Sequence, residues 1–126
     1  MNKRKKIILG AIVVGIALVG LFVYSITRQS STASPTKDII FFYGRECPHC
    51  KEAERFIEDN KIDQKLEFDS VEVWHNQDNA DLLVQKAREC GIADSRIGVP
   101  FVWSQGKCYL GTPDIEAFLK EKTGIN

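Results

Sequence analysis

The longest hydrophobic segment of the 126-residue chain is Ile7–Tyr24, an uninterrupted apolar run of 18 residues. A run of this length can cross the hydrocarbon core of a bilayer as a helix, whereas a cleavable signal peptide usually has an apolar region of about 7–15 residues. Basic residues occupy positions 3–6, and only Arg28 follows the run closely. By the positive-inside rule, the sequence predicts an uncleaved single-pass anchor in the cell membrane, with a cytoplasmic N-terminus and an extracytoplasmic C-terminal domain.

A polar segment separates this run from the rest of the chain. Thr27–Lys37 is rich in Ser and Thr and contains one proline, which is typical of a flexible linker. The residues beyond it are numerous enough to bury one modest hydrophobic core. We therefore predict three parts: a basic tip and membrane anchor at 1–26, a linker at 27–37 and one globular domain at 38–126.

Within residues 38–126 the apolar positions follow strand and helix periods in turn. Ile39–Tyr43 is apolar on both alternating faces, as expected of a central strand covered on both sides. Pro48–Asn60 has apolar residues at helical spacing and a charged opposite face. A second strand is predicted at Leu66–Trp74, where a β-bulge would explain a change of alternation between Phe68 and Val71. A helix is predicted at Asn79–Cys90 and ends at Gly91, and strands at Phe101–Trp103 and Cys108–Leu110 are joined by a tight turn. The C-terminal helix has Thr112 as its predicted N-cap and Pro113 as its first residue. The order is β-α-β-α-β-β-α, an α/β domain.

The charges are distributed unevenly, although the formal net charge of the chain is zero. Five of the 17 basic residues flank the hydrophobic run, and all 17 acidic residues lie beyond it, so residues 29–126 carry a net charge of −5. Such a surface is unsuited to nucleic acid and offers no basic patch for anionic lipid. We expect its partners to be proteins.

The motif Cys47-Pro48-His49-Cys50 lies between the first predicted strand and the helix that follows it. A helix N-terminus carries partial positive charge and unpaired N–H groups, which favour the thiolate at Cys47. Cys50 lies within reach and can resolve a mixed disulfide formed at Cys47. This placement favours thiol–disulfide exchange over a static bridge. A closed zinc site is disfavoured, because Cys47, His49 and Cys50 supply three ligands and such sites usually need four.

Together with Val99-Pro100 before the third strand, this order of elements resembles the thioredoxin-fold superfamily. The resemblance implies a four-stranded mixed sheet, preceded here by the transmembrane helix. The domain is similar in size to a glutaredoxin. The Cys-Pro-His-Cys motif and Gly98-Val99-Pro100-Phe101, followed by Gly106-Lys107, resemble DsbA-type oxidases.

The resemblance also implies roles for individual residues. Cys47 is expected to be the exposed nucleophile and Cys50 the resolving thiol. Pro48 and His49 are expected to tune the Cys47 thiolate. A cis Val99-Pro100 bond opposite the cysteines is expected to dock an extended substrate segment through the backbone of Val99.

Two positions depart from these families. An acidic residue commonly lies six positions before the first cysteine in thioredoxins and DsbA proteins, and here that position is Phe41. The stretch Gly111–Asp114 matches the glutathione-binding pattern of glutaredoxins only in part. The large helical insertion of DsbA proteins is also missing between the predicted elements.

The remaining residues with distinctive chemistry have plainer interpretations. His75 is expected to be an ordinary loop histidine, and Trp74 and Trp103 to pack in the core or at its rim. Cys90 and Cys108 are either two buried apolar residues or a structural disulfide between the second helix and the fourth strand, since sequence alone does not give their distance.

We expect a membrane-anchored, extracytoplasmic thiol–disulfide oxidoreductase that oxidises protein thiols and is re-oxidised by a membrane redox partner. No cofactor and no metal are expected. The alternatives are a reductant or isomerase fed by a membrane electron carrier, or a non-catalytic anchored binding module.

Overall fold

The computed structural model describes residues 3–26 and 35–126 and divides the chain into two units, Met1–Ala33 and Ser34–Asn126. Most of the predicted linker, residues 27–34, lies outside the described residues. At its end, the N–H groups of Thr36 and Lys37 donate to the carboxylate of Asp69 at 2.6 and 2.9 Å. This contact attaches the start of the second unit to its sheet.

The first unit contains helix α1, Lys3–Ile26, which includes the predicted membrane span Ile7–Tyr24. Its described apolar side chains, such as those of Ile7 and Ile16, are exposed. Across residues 3–26 and 35–126, no helix has both the length and the apolar character needed to cross a membrane. The transmembrane helix predicted from the sequence is therefore not confirmed.

The second unit contains four strands and three α-helices in the predicted order. They are β1 (Ile39–Tyr43), α2 (Pro48–Asp59), β2 (Asp69–Glu72), α3 (Gln77–Glu89), β3 (Phe101–Ser104), β4 (Lys107–Leu110) and α4 (Gly111–Thr123), with short 3₁₀ turns at Ile62–Gln64 and Asp94–Arg96. The sheet order is β2-β1-β3-β4. Strand β1 is parallel to β2 and antiparallel to β3, and β3 is antiparallel to β4. This four-stranded mixed α/β arrangement is thioredoxin-like, as the sequence predicts.

The central position of β1 explains why its residues are apolar on both faces. Ile39 and Phe41 point into one core cluster, and Ile40 and Phe42 into the other. The first cluster is completed by residues of α2, α4, β3 and the 3₁₀ turn at Ile62–Gln64, and the second by residues of β3, α3 and the strand β2 with the residue after it. Helices therefore cover the sheet on both sides, and the loop that follows β1 leads directly into α2.

Strand β2 is shorter than predicted. It covers Asp69–Glu72, because only these residues pair with Ile40–Tyr43 of the short central strand. Leu66 and Phe68 pack against the first core cluster, whereas Val71 and Val73 belong to the second. The change of alternation thus marks the start of the strand, and the β-bulge interpretation was wrong.

The ends of two helices also differ from prediction. Helix α3 begins at Gln77, two residues early, because the side chain of Asn76 caps it by accepting the N–H of Asn79 at 3.1 Å. Helix α4 begins at Gly111, and the hydroxyl of Thr112 donates to the carbonyl oxygen of His49 at 3.1 Å, so Thr112 does not act as the predicted N-cap.

Between β3 and β4, Gln105 and Gly106 both have positive φ, of 49° and 82°. This is the conformation that a two-residue hairpin turn requires. The tight turn predicted at this place is confirmed.

Candidate active site

Cys47 and Cys50 form a disulfide at the N-terminus of α2, with their Cα atoms 5.2 Å apart. Cys47 is the N-cap residue, and its sulfur accepts the N–H of Cys50 at 3.2 Å. Pro48 takes the first helical position, where the lack of an N–H costs nothing. The Cys47 sulfur therefore occupies the place that a Ser or Asp oxygen takes at many helix starts.

Both cysteines are buried, and their sulfurs differ in hydrogen-bond partners. Cys47 is 4% exposed and Cys50 is fully buried. The N–H of Gly44 donates to the Cys50 sulfur at 3.5 Å, and the Gly44 carbonyl accepts the N–H of Cys47 at 3.1 Å. Cys47 was predicted to be exposed, but in this disulfide both cysteines are buried, because they pack between the loop after β1 and the Val99–Pro100 segment. The role of Cys47 as nucleophile stays a prediction.

The structure brings the Val99–Pro100 segment against the cysteines. Its peptide bond is cis, and the carbonyl oxygen of Val99 lies 3.8 Å from the Cys47 sulfur. The carbonyl of the buried Pro100 accepts the N–H of Gly111 at 3.0 Å, which joins this segment to the start of α4. An open groove of about 550 Å³ runs beside it, lined by His49, Glu52, Val99, Pro100, Gly111, Thr112, Pro113 and Glu116.

The side chain of His49 is largely exposed to solvent. Its side chain is 76% exposed, and its Nδ1 atom lies 3.3 Å from a carboxylate oxygen of Glu52. Its peptide carbonyl is held by Thr112. An influence of the imidazole on the Cys47 thiolate would therefore act through the electrostatic field, and this role stays a prediction.

A network around Glu72, at the end of β2, was missed by sequence reasoning. Its carboxylate accepts the N–H groups of Arg45, Trp74 and His75. Burial raises the pKa of Glu72, but these bonds and one from the imidazole of His75 outweigh it and lower the pKa to about 2, below its usual 4.5. The only sequence signal was an acidic residue at the end of a half-buried strand.

Two other residues contact the cysteine loop in ways that the sequence did not indicate. The indole of Trp74 is 52% exposed and lies over Gly44, where a Cβ atom would overlap its ring. The Nε2 atom of His75 lies 3.5 Å from Glu46, the residue before Cys47. Neither contact has a signal in the local sequence.

Cys90 and Cys108 form a second disulfide, with Cα atoms 6.1 Å apart. Cys90 is the C-cap of α3, and Cys108 lies in β4. The Cys90 sulfur lies 3.4 Å from the carbonyl oxygen of Gly106, and the Cys108 sulfur lies 3.6 Å from that of Lys86. Both sulfurs are thus beside hydrogen-bond acceptors.

Phe41, at the position where related families carry an acid, is 3% exposed and packs in the first core cluster. It can exchange no proton with Cys50. Among residues 3–26 and 35–126, no group of three or more His, Cys, Asp or Glu side chains is arranged to hold a metal ion.

No protein-family model and no curated protein sequence matches the chain. Among solved structures, the chain is similar to oxidised glutaredoxin 2 of Chlamydomonas reinhardtii, at 23% identity over 68% of this chain and 74% of that one, with a TM-score of 0.47. It is also similar to a glutaredoxin of Archaeoglobus fulgidus, at 19% identity over 69% and 86%, with a TM-score of 0.49. The oxidised thioredoxin of Plasmodium falciparum gives 20% identity over 68% and 79%, with a TM-score of 0.43. At these values no function is transferred, and the fold assignment stands on the sheet topology described above.

Proposed function

We propose that the protein is a thiol–disulfide oxidoreductase that oxidises protein thiols outside the cytoplasm. The observation that carries this proposal is the Cys47–Cys50 disulfide at the start of α2, with the Cys47 sulfur as N-cap. Fixed N–H groups and the partial positive charge of a helix N-terminus stabilise a thiolate at this position. A thiolate that is stable is also a good leaving group, which is what disulfide exchange at Cys47 requires.

The exchange proceeds in two steps. A substrate thiolate attacks the Cys47 sulfur, so that a substrate–Cys47 bond forms, the Cys47–Cys50 bond breaks and Cys50 leaves as a thiolate. A second substrate thiolate then attacks the substrate sulfur of this mixed disulfide and releases Cys47. The substrate loses two electrons and two protons, and the cysteine pair gains them.

The oxidising direction is supported by the charges around the helix start. Three acidic residues, Glu46, Glu52 and Glu54, oppose a thiolate, but each has a basic neighbour: His75 at 3.5 Å, His49 at 3.3 Å and Lys51 at 2.7 Å. All three pairs are on the surface, where charges are screened. The helix N-terminus and its N–H groups therefore dominate, and a stabilised reduced form makes the disulfide an oxidant.

The Val99 backbone supports a docking role for the segment before Pro100. Its carbonyl oxygen lies next to the Cys47 sulfur, beside the open groove. An extended substrate segment that pairs with this backbone would bring its own sulfur to Cys47, in the manner of a short added strand.

The test of this proposal is the reduction potential of the Cys47/Cys50 pair, measured in glutathione buffers. We expect a value well above about −270 mV, which is typical of thioredoxin. Replacing Pro48-His49 by Gly-Pro should lower it by tens of millivolts. A thioredoxin-like potential that this replacement leaves unchanged would favour the reductant or isomerase alternative. Absence of any exchange with insulin would favour a non-catalytic binding module.

Assignment of the two cysteines is tested by trapping. Cys50→Ala should accumulate mixed disulfides with client proteins on non-reducing gels, because Cys47 still attacks and nothing resolves the product. Cys47→Ala should trap none. The opposite pattern would reverse the two roles.

We further propose that Ile7–Tyr24 anchors the protein in the cell membrane, with the second unit outside and a membrane protein as its redox partner. The length of the apolar run and the basic residues at 3–6 support this orientation. Protease added to intact spheroplasts should digest the C-terminal unit. Protection before lysis and digestion after it would overturn the orientation.

A further inference from the structure

The carboxylate of Glu72 joins two loops beside the Cys47–Cys50 disulfide. Glu72 is the last residue of β2 and stands opposite Tyr43 in the parallel register. Its Oε1 atom accepts the N–H of Arg45 at 3.3 Å and that of Trp74 at 3.0 Å, and its Oε2 atom accepts the N–H of His75 at 2.9 Å. The side chain is only 13% exposed. One largely buried carboxylate thus contacts both the loop after β1 and the loop after β2.

The loop after β1, residues 44–47, positions both sulfurs. Arg45 follows Gly44, whose N–H donates to the Cys50 sulfur and whose carbonyl accepts the N–H of Cys47. The bond from the Arg45 N–H to Glu72 therefore fixes the peptide groups that contact the cysteines.

The loop after β2 lies directly against the first loop. The indole of Trp74 fills the space beside Gly44, where a Cβ atom would overlap it. The imidazole of His75 bridges Glu46, 3.5 Å from its Nε2 atom, and Glu72, 3.2 Å from its Nδ1 atom. Because the Glu72 carboxylate also accepts the backbone N–H groups of Trp74 and His75, it orients both of these contacts.

We propose that Glu72 is a positioning residue for disulfide exchange, which holds the loop of residues 44–47 in the conformation that presents Cys47. The inference rests on the proposed function. Glu72 acts through the Arg45 backbone and through the loop of Trp74 and His75. Hydrogen bonds to an ionised acceptor are roughly twice as strong as neutral ones, so an amide or a methyl group at this position holds the loop less firmly.

The test compares Glu72→Gln and Glu72→Ala with Glu67→Gln in the full chain. Glu67 is a matched control because its side chain is 82% exposed and paired with Lys37, and its replacement also removes one negative charge. Two quantities are measured: the rate at which the oxidised protein oxidises a dithiol peptide, and the pH profile of Cys47 alkylation in the reduced protein.

We expect both Glu72 variants to oxidise the peptide about tenfold more slowly, the loss that corresponds to one charge-assisted hydrogen bond. The midpoint of the alkylation profile should move to higher pH, because a looser loop holds the Cys47 thiolate less firmly against the N–H of Cys50. The control should match the original protein in both measurements.

Loss of a negative charge alone would move the alkylation profile to lower pH, and loss of global stability would leave it in place at a temperature where the protein is fully folded. Either result, or an unchanged peptide oxidation rate, would overturn the positioning role.

If Glu72→Ala does not fold, the isosteric Glu72→Gln carries the test. If the original protein exchanges no disulfide, the proposed function fails, whereas amide hydrogen exchange at Arg45 still reports whether Glu72 holds the loop. Wild-type protection at Arg45 in Glu72→Gln would overturn it.

Discussion

The two disulfides of the second unit lie at opposite ends of helices. Cys47 caps the N-terminus of α2, where the N–H of Cys50 donates to its sulfur, whereas Cys90 caps the C-terminus of α3, where both sulfurs of its disulfide lie beside carbonyl oxygens. The partial charge is positive at the first end and negative at the second. From this difference we expect a thiolate to be favoured at Cys47 and disfavoured at Cys90. On this basis we expect the Cys47–Cys50 disulfide to exchange readily and the Cys90–Cys108 disulfide to stay oxidised.

The two disulfides also close chain segments of different length. Cys47 and Cys50 are separated by 3 positions and Cys90 and Cys108 by 18. A longer closed loop removes more conformational freedom from the unfolded chain. We therefore expect the second disulfide to contribute more to stability, although the proposed exchange takes place at the first.

The largest expected effect separates the two disulfides by activity. Cys47→Ala should reduce disulfide exchange with a dithiol peptide to the uncatalysed rate, because the attacked sulfur is gone. The double variant Cys90→Ala with Cys108→Ala should keep most of the activity at a temperature where it is folded. If the double variant lost disulfide exchange while Cys47→Ala kept it, the assignment of exchange to the Cys47–Cys50 pair would be wrong.

The second prediction concerns stability, where removing the Cys90–Cys108 disulfide should have the larger effect. In urea denaturation under oxidising conditions, removing Cys90 and Cys108 together should lower the free energy of unfolding by about 3 kcal/mol. Removing Cys47 and Cys50 together should lower it by about 2 kcal/mol, since the closed loop is short. Equal losses, or a larger loss for the Cys47–Cys50 pair, would contradict the assignment of the second disulfide as the structural one.

Acid should weaken the region of the first disulfide through Glu72. Its pKa of about 2 in the folded protein is below the usual 4.5, so its contribution is present above pH 4.5 and is lost as the pH falls towards 2. We expect a loss of about 2 kcal/mol over this range, measured by urea denaturation at several pH values. Glu72→Gln should flatten this part of the curve. An equally steep curve in the variant would assign the acid sensitivity to other groups.

The smallest effect is expected at the contact between α4 and the start of α2. Thr112→Val removes the hydrogen bond to the His49 carbonyl and should cost about 1 kcal/mol, with a two- to threefold slower exchange. Thr123→Val is the control, because its hydroxyl donates to the Leu119 carbonyl within α4. Equal exchange rates in the two variants would remove Thr112 from the site.

Elements with a strong local pattern were predictable from the sequence. The doubly apolar β1 and the hairpin with its Gln105-Gly106 turn follow from side-chain period and turn chemistry. The extent of β2 was not predictable, because it is set by the five residues of β1 that are available for pairing. The N-terminus of α4 was misjudged since the Thr112 hydroxyl bonds to a residue 63 positions away.

The candidate site likewise contains residues that the sequence reveals and residues that it does not. Cys47 and Cys50 are three residues apart, so a motif reveals them together with the helix that positions them. Glu72, Trp74 and His75 reach the cysteine loop only through the parallel pairing of β1 with β2. No local pattern records such a contact, and a single sequence does not show which acidic residue of a strand end faces a loop.

The position of Trp74 over Gly44 also gives the protein an optical label. The chain has two tryptophans, and Trp103 is half-buried in the second core cluster with the Lys86 ammonium group 4.0 Å above its ring. Replacing Trp103 by Phe leaves Trp74 as the only indole, half exposed and in contact with the loop that carries the disulfide. Indole emission responds to its surroundings, so the fluorescence of this variant would follow reduction of the cysteines and arrival of a substrate in real time, without an added dye.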